Sequence, residues 1–279
     1  MSERTTRQWI INIVLIVITL SFLGVSIAPL IGGIFLAQNP NPSPTATLNP
    51  EEQRIARLNE DRRGYEAVLK KEPKNQTALI ELVNILIKLD DLKGALEPLQ
   101  TLADSYPDQP QYRFTLAGVH LKLGDRAKSK AELRTILTTR PGYLEALERL
   151  IQLELEDKRP EAAIGTIRQV LDSASTANKI QPNSVDVATV QWLLGEVYRQ
   201  SQRYDEALAA FEEGIKTDDK NFRSFVGKAQ VKRAQGKEAE AKALFAKALE
   251  LAPSSVKDRI NEIANPPEVK VEPIPPATP

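Results

Sequence analysis

The chain has 279 residues, 37 Lys and Arg against 37 Asp and Glu, one His and no Cys. Without Cys there is no disulfide framework, thiolate metal ligand, Cys nucleophile or lipid-modified cysteine, and a single His excludes a His-based metal cluster. Zero net charge and 5% aromatic residues argue against a nucleic-acid binder built on bulk positive charge or base stacking.

No charged residue occurs between Arg7 and Glu51. Residues 1–37 read as an N-terminal transmembrane anchor. The apolar stretch Trp9–Ala28, at 1.5 Å per residue, is about 30 Å long, the thickness of a bilayer's hydrocarbon core. Trp9 stands where an interfacial aromatic belongs, and Pro29 marks a kink or an end. A cleaved signal peptide and a buried soluble helix are the alternatives. The run is about twice as long as a signal-peptide core, and Ser26-Ile27-Ala28 is followed by Pro29, a poor residue after a cleavage site. Arg4 and Arg7 precede the span, and the next basic residue is Arg54. The bias keeps the N-terminus cytoplasmic and exports the rest to a periplasm or lumen, a cytoplasmic or stromal domain being the alternative.

Residues 38–50 contain Pro40, Pro42, Pro44 and Pro50 and are expected to be an extended spacer. Residues 51–72 then supply a helix that precedes a repeat. Pro73, Pro107 and Pro141 are spaced by 34, as are Tyr65, Leu99 and Leu133. Ala207-x3-Phe211 recurs 34 residues later as Ala241-x3-Phe245, with Pro253 eight residues beyond. A fixed period of this size signals stacked helical units.

These spacings, with Leu194-Gly195-x2-Tyr198, resemble the tetratricopeptide repeat family over residues 51–265. The resemblance implies an all-α, right-handed superhelical solenoid of antiparallel A and B helices. The register places repeats at about 76–109, 110–143, 144–187, 188–221 and 222–255, with a final helix from Ser254, capped by Ser254 or Ser255. Ala95, Ser129, Ala163, Ala207 and Ala241 mark a small site in helix B where it meets helix A. Ala163 to Ala207 is 44, so the third repeat carries ten extra residues; Ser173–Ser184 either loops out or extends its helix B, and reads as a tolerated insertion or a binding feature. Pro98 should kink the first helix B or shift its start. Residues 266–279, with six prolines, form a tail or, less simply, a polyproline ligand.

The sequence has no G-x-x-x-x-G-K-[ST], G-x-G-x-x-G or G-x-S-x-G. His120 stands where a later repeat has Tyr198 and reads as a packed side chain. The paired acids Asp90-Asp91 and Asp218-Asp219 sit at turns, without calcium-loop spacing. No enzyme activity, metal or small-molecule cofactor is expected.

By resemblance, the A helices line a concave groove whose positions here include Ile80, Asn84, Phe114, Glu148, Gln152, Trp192, Glu196, Arg199, Arg223, Gln230 and Arg233. Trp192 lies one place beyond the family's usual Trp, facing either core or groove. Acids at 145, 148 and 156 and arginines at 199, 223 and 233 form a gradient suited to an extended or helical peptide. Asn84 matches a residue of the family's carboxylate clamp, but Ile80 stands where that clamp needs Lys. The resemblance implies a scaffold that binds a partner polypeptide, supporting assembly or maintenance of a membrane complex, with no nucleic-acid partner. The layout is similar to thylakoid-associated repeat proteins of cyanobacteria and plastids that assist photosystem assembly, and also to bacterial envelope repeat proteins. A self-associating tether without a groove ligand and an enzyme with a cryptic site are the alternatives.

Overall fold

The computed structural model describes residues 49–266. The expected anchor, most of the spacer and nearly all of the tail lie outside the described residues. Among the described residues no helix is long and apolar enough to cross a membrane. The five hairpins belong to one compact unit that begins at residue 54.

Twelve helices and no strand are found among the described residues. Helix α1 (Pro50–Lys71) begins with a reciprocal cap: the Asn49 N–H donates to Glu52 (2.9 Å) and the Glu52 N–H to Asn49 (2.8 Å). Pro50 thus opens a helix instead of closing the spacer, because its missing N–H costs nothing at a first helical position. Five hairpins follow: α2 (Gln76–Lys88) with α3 (Leu96–Ser105), α4 (Pro110–Lys122) with α5 (Arg126–Thr139), α6 (Leu144–Glu156) with α7 (Pro160–Ile180), α8 (Val187–Gln200) with α9 (Tyr204–Thr217), and α10 (Phe222–Ala234) with α11 (Glu238–Leu251). Helix α12 (Ser254–Ala264) closes the array. Its N-cap is Pro253 and no side chain bonds there, so neither Ser254 nor Ser255 caps it.

The same device ends every A helix. Asp90, Gly124, Lys158, Gln202 and Gly236 have φ between 56° and 83°. The next residue's N–H returns to a carbonyl five residues back, at Leu86, His120, Glu154, Tyr198 and Lys232. This is a Schellman turn, repeated at the 34-residue period and stretched once by the insertion. Pro73, Pro107 and Pro141 occupy the opposite turns, from B to the next A, where Tyr106 and Arg140 already have non-helical backbones that tolerate a following proline. Asn75, Asp125, Asp186 and Asn221 cap their helices by accepting N–H bonds at 3.0–3.2 Å.

Pro98 shifts a helix start instead of kinking it. Having no N–H to bond the Gly94 carbonyl, it leaves residues 92–95 as a turn, with Asp91 accepting from the Gly94 N–H (2.9 Å), and α3 begins at Leu96. Ala95 is therefore an N-cap residue and not part of helix B. The inserted residues extend helix B: α7 runs to Ile180 before turning.

Packing explains the small sites. Ala95, Ser129, Ala163, Ala207 and Ala241 are all buried. In the fourth hairpin Phe211 is also fully buried, its ring lying where a Cβ on either Gly195 or Gly227 would collide with it. Gly195 belongs to the A helix of the same hairpin and Gly227 to that of the next. Three clusters of buried side chains form the core, and α4 and α10 each contribute to two of them. Helix α1 contributes no buried residue; only its partly buried Tyr65 and Leu69 reach the first cluster.

Two substitutions separate the contributions. Ala207→Leu overpacks a sealed site and is expected to cost about 1–3 kcal/mol, lowering Tm by several degrees in a thermal melt. Gly124→Ala meets open space, so its loss, about 1 kcal/mol, should come from the left-handed backbone alone.

Candidate functional site

The A helices α2, α4, α6, α8 and α10 carry the residues expected to line a groove. Asn84, Glu148, Gln152 and Arg223 are exposed, and Ile80, Phe114, Trp192, Glu196, Arg199, Gln230 and Arg233 are partly buried. Ile80 packs against the first core cluster; Phe114 and Trp192 pack against the main one, Phe114 with its ring 6.0 Å from that of Tyr143. Gln152 accepts from Arg149 (2.8 Å) and donates to Glu156 (2.9 Å).

The three arginines differ. Arg199 is held by Glu196 on the same helix, with contacts of 3.2, 3.2 and 2.7 Å, and its charge is compensated there. Arg233 closes the array. It donates to the Ile263 and Ala264 carbonyls at 2.6 Å and lies 4.7 Å above the Phe245 ring, so its guanidinium satisfies the last carbonyls of α12. It is committed to that helix end and does not extend the expected cationic gradient. Arg223 alone of the three has no carboxylate partner among the described residues. Its guanidinium lies 5.8 Å from the Trp192 ring and 5.1 Å from the Phe222 ring, within cation–π range. The structure thus brings Trp192 of α8 beside Arg223 of α10, on consecutive A helices, with a positive charge that has no carboxylate partner among the described residues near two partly exposed rings.

The acids are also partly committed. Glu156 pairs with Arg126 at 3.1 Å. Two residues away, Glu154 is wholly buried, an environment a carboxylate tolerates only when paired. Lys130 Nζ lies 3.2 Å from it and Arg134 donates to it at 2.5 Å. Lys130 also reaches Asp157 (2.7 Å), which Arg126 contacts from the other side (2.7 Å). The network ties α5 to α6 across the junction between hairpins. Sequence reasoning passed over Glu154, although the register contains it: Glu154 occupies the repeat position of buried His120 and Tyr198. Arg168, 34 residues after Arg134, donates to the Tyr198 hydroxyl at 2.6 Å, repeating the link in the next hairpin. No group of three or more His, Cys, Asp or Glu among the described residues is arranged to hold a metal ion.

The tetratricopeptide repeat family matches residues 64–118, 114–178 and 192–256. The chain belongs to that family. Among solved structures, yeast Tom70 shares its fold, and others align more loosely. Yeast Tom70 aligns at 14% identity and a TM-score of 0.51, over 73% of this chain and 42% of its own. MamA aligns at 20% identity and a TM-score of 0.43, over 66% of this chain and 93% of its own. A tetratricopeptide repeat protein from Parabacteroides merdae aligns at 17% identity and a TM-score of 0.41, over 76% and 78%. A sequence comparison with characterised proteins finds no significant match.

Lys130, and after it Arg126, hold the Asp157 carboxyl below the usual carboxylate range by hydrogen bonding to its charged form. A depressed folded value stabilises the fold above the unfolded pKa, about 3.9, and the benefit is lost as pH falls through the folded value. The Tm gap between wild type and Asp157→Asn should therefore be widest near neutrality and narrow below about pH 4. A pH-independent gap would contradict this. Glu154→Ala, which strands a buried lysine short of one partner, should cost about 3–5 kcal/mol in denaturant unfolding.

Proposed function

We propose that this protein is a membrane-anchored scaffold whose A-helix face holds a segment of a partner polypeptide. One observation carries the reading: Arg223, without a carboxylate of its own among the described residues, lies within cation–π range of the rings of Trp192 and Phe222. Such a cluster suits a segment that places an acidic side chain on the guanidinium and an apolar one against the rings. Partly exposed aromatic and Arg residues are the types that dominate binding energy when a partner buries them. Stacked helix pairs offer an extended surface for such a segment, and Asn84, Glu148 and Gln152 would supply polar contacts along it.

The apolar stretch Trp9–Ala28 supports tethering to a membrane, and Arg4 and Arg7 before it support a cytoplasmic N-terminus with the array on the opposite side. Held there, the scaffold would act by positioning a partner during assembly or maintenance of a membrane complex. Its mechanism is binding, and it needs no cofactor.

Affinity purification from solubilised membranes tests the reading. Arg223→Glu should reduce recovery of partners about tenfold, equivalent to about 1.4 kcal/mol, without changing the thermal melt; unchanged recovery would overturn it. Alkaline extraction should leave the full chain in the membrane pellet. In sealed vesicles, added protease should degrade the array only on the non-cytoplasmic side.

A further inference from the structure

The ten residues that lengthen the third hairpin build a walled space. They carry α7 to Ile180 and return through residues 181–184. The return is pinned by Asn178: its side chain donates to the Val185 carbonyl (3.0 Å) and accepts from the Val185 N–H (2.8 Å) and the Ser184 hydroxyl (3.1 Å). Opposite, the backbone of Gly142 lies so near the Ser184 carbonyl that a Cβ there would collide with it. Between the 139–143 turn and the end of α7 lies a cavity of about 540 Å³. Pro141 and Ser173 line it and also a second space of about 270 Å³. Volumes of this order hold several side chains.

The lining has a definite chemistry. Pro141, Ala177 and Ile180 make it apolar on one side, and Ile180 is 82% exposed, an isoleucine left in water at the rim. Hydroxyls and an amide make up most of the rest. In a chain with equal numbers of acids and bases, the only ionised side chains among the described residues that line either space are Arg140 and Arg134, and no carboxylate among the described residues lines them. Arg134 is spent on Glu154. Arg140 has no carboxylate partner among the described residues and is steadied by donating to the Asp108 carbonyl at 2.5 Å. An unpaired guanidinium beside an exposed branched side chain calls for a complementary pair.

We propose that this cavity, formed by the B helices α5 and α7 and the inserted turn, is a second polypeptide site, distinct from the A-helix face. It takes a short segment of a partner protein in which an Asp or Glu neighbours a branched apolar residue. The carboxylate pairs with Arg140, and the apolar side chain covers Ile180 and Ala177. The inserted residues are then the element that gives the third hairpin this ligand.

A random peptide library displayed on phage, selected against the full-length protein in detergent micelles, tests this. Enriched peptides are synthesised and titrated by fluorescence anisotropy. The expected peptides carry Asp or Glu within two positions of Leu, Ile or Val. Their affinity should fall at least about tenfold in Arg140→Glu and in Ile180→Asp, and stay unchanged in Arg223→Glu. Both altered side chains are exposed, and circular dichroism and melting curves verify that the variants fold. No enrichment, or peptides that bind Arg140→Glu and Ile180→Asp as tightly as wild type, would overturn the proposal. Enrichment only on a chain ending at Pro266 would assign the cavity to this chain's own tail and also overturn it. Because Arg223→Glu reads the A-helix face separately, either site can fail without the other.

Discussion

The Phe211 ring enters a slot that exists only because Gly195 on one side and Gly227 on the other lack side chains. That fit states the constraint on which the array rests. A hairpin of two helices cannot bury its apolar stripe by itself, so the ring must be enclosed by two A helices, its own and the next hairpin's. Small residues permit the approach of backbones, and a large residue then fills what remains. Ala207, on the same helix and fully buried, belongs to the same arrangement. The consequence for function is geometric. Drawing α8 and α10 onto one phenyl ring sets Trp192 and Arg223 side by side, although 31 positions separate them in the chain.

Polar links accompany the apolar ones. Arg134 to Glu154 and Arg168 to Tyr198 join α5 to α6 and α7 to α8, each a B helix to the A helix of the next hairpin, at equivalent places. In both links the acceptor is buried and the arginine reaches it from the exposed side, and a buried Glu154 left without its partners is costly. The links therefore act against any slip of one hairpin on its neighbour. The three arginines expected in the groove divide along the same line: Arg233 is spent on the fold, Arg199 on its own helix, and Arg223 has no carboxylate partner among the described residues.

The repetition was legible because every element of it is local. The spacings of Pro73, Pro107 and Pro141 and of Phe211 and Phe245 follow from turns and packing that recur unit by unit. The left-handed turn residues obey the same spacing but were hidden, since only Gly124 and Gly236 show it in their identity; Asp90, Lys158 and Gln202 adopt that backbone because the turn's hydrogen bonds require it. Pro98 was visible as a disruption, whereas its form depended on how Asp91 could hold the turn that precedes the shortened helix. Arg233 occupied a groove position by count, but α12 lies within its reach, and no count of positions reveals a neighbour supplied by a later helix. Glu154 was overlooked because an acid on an A helix suggests exposure; its register with His120 and Tyr198 was the better guide. The inserted residues were legible as an excess of ten, but the space they enclose depends on the backbone contact between Gly142 and Ser184.

The central claim is that the surface shared by α8 and α10 grips another polypeptide. A photoactivatable amino acid at position 192 of the full chain, irradiated in intact membranes and read by mass spectrometry of the crosslinked peptides, tests it most directly. The account predicts crosslinks to one defined segment of a different protein, with an Asp or Glu close to the crosslinked residue, and their loss when Arg223→Glu is added. Crosslinks confined to other copies of this chain, or a pattern indifferent to Arg223, would contradict it.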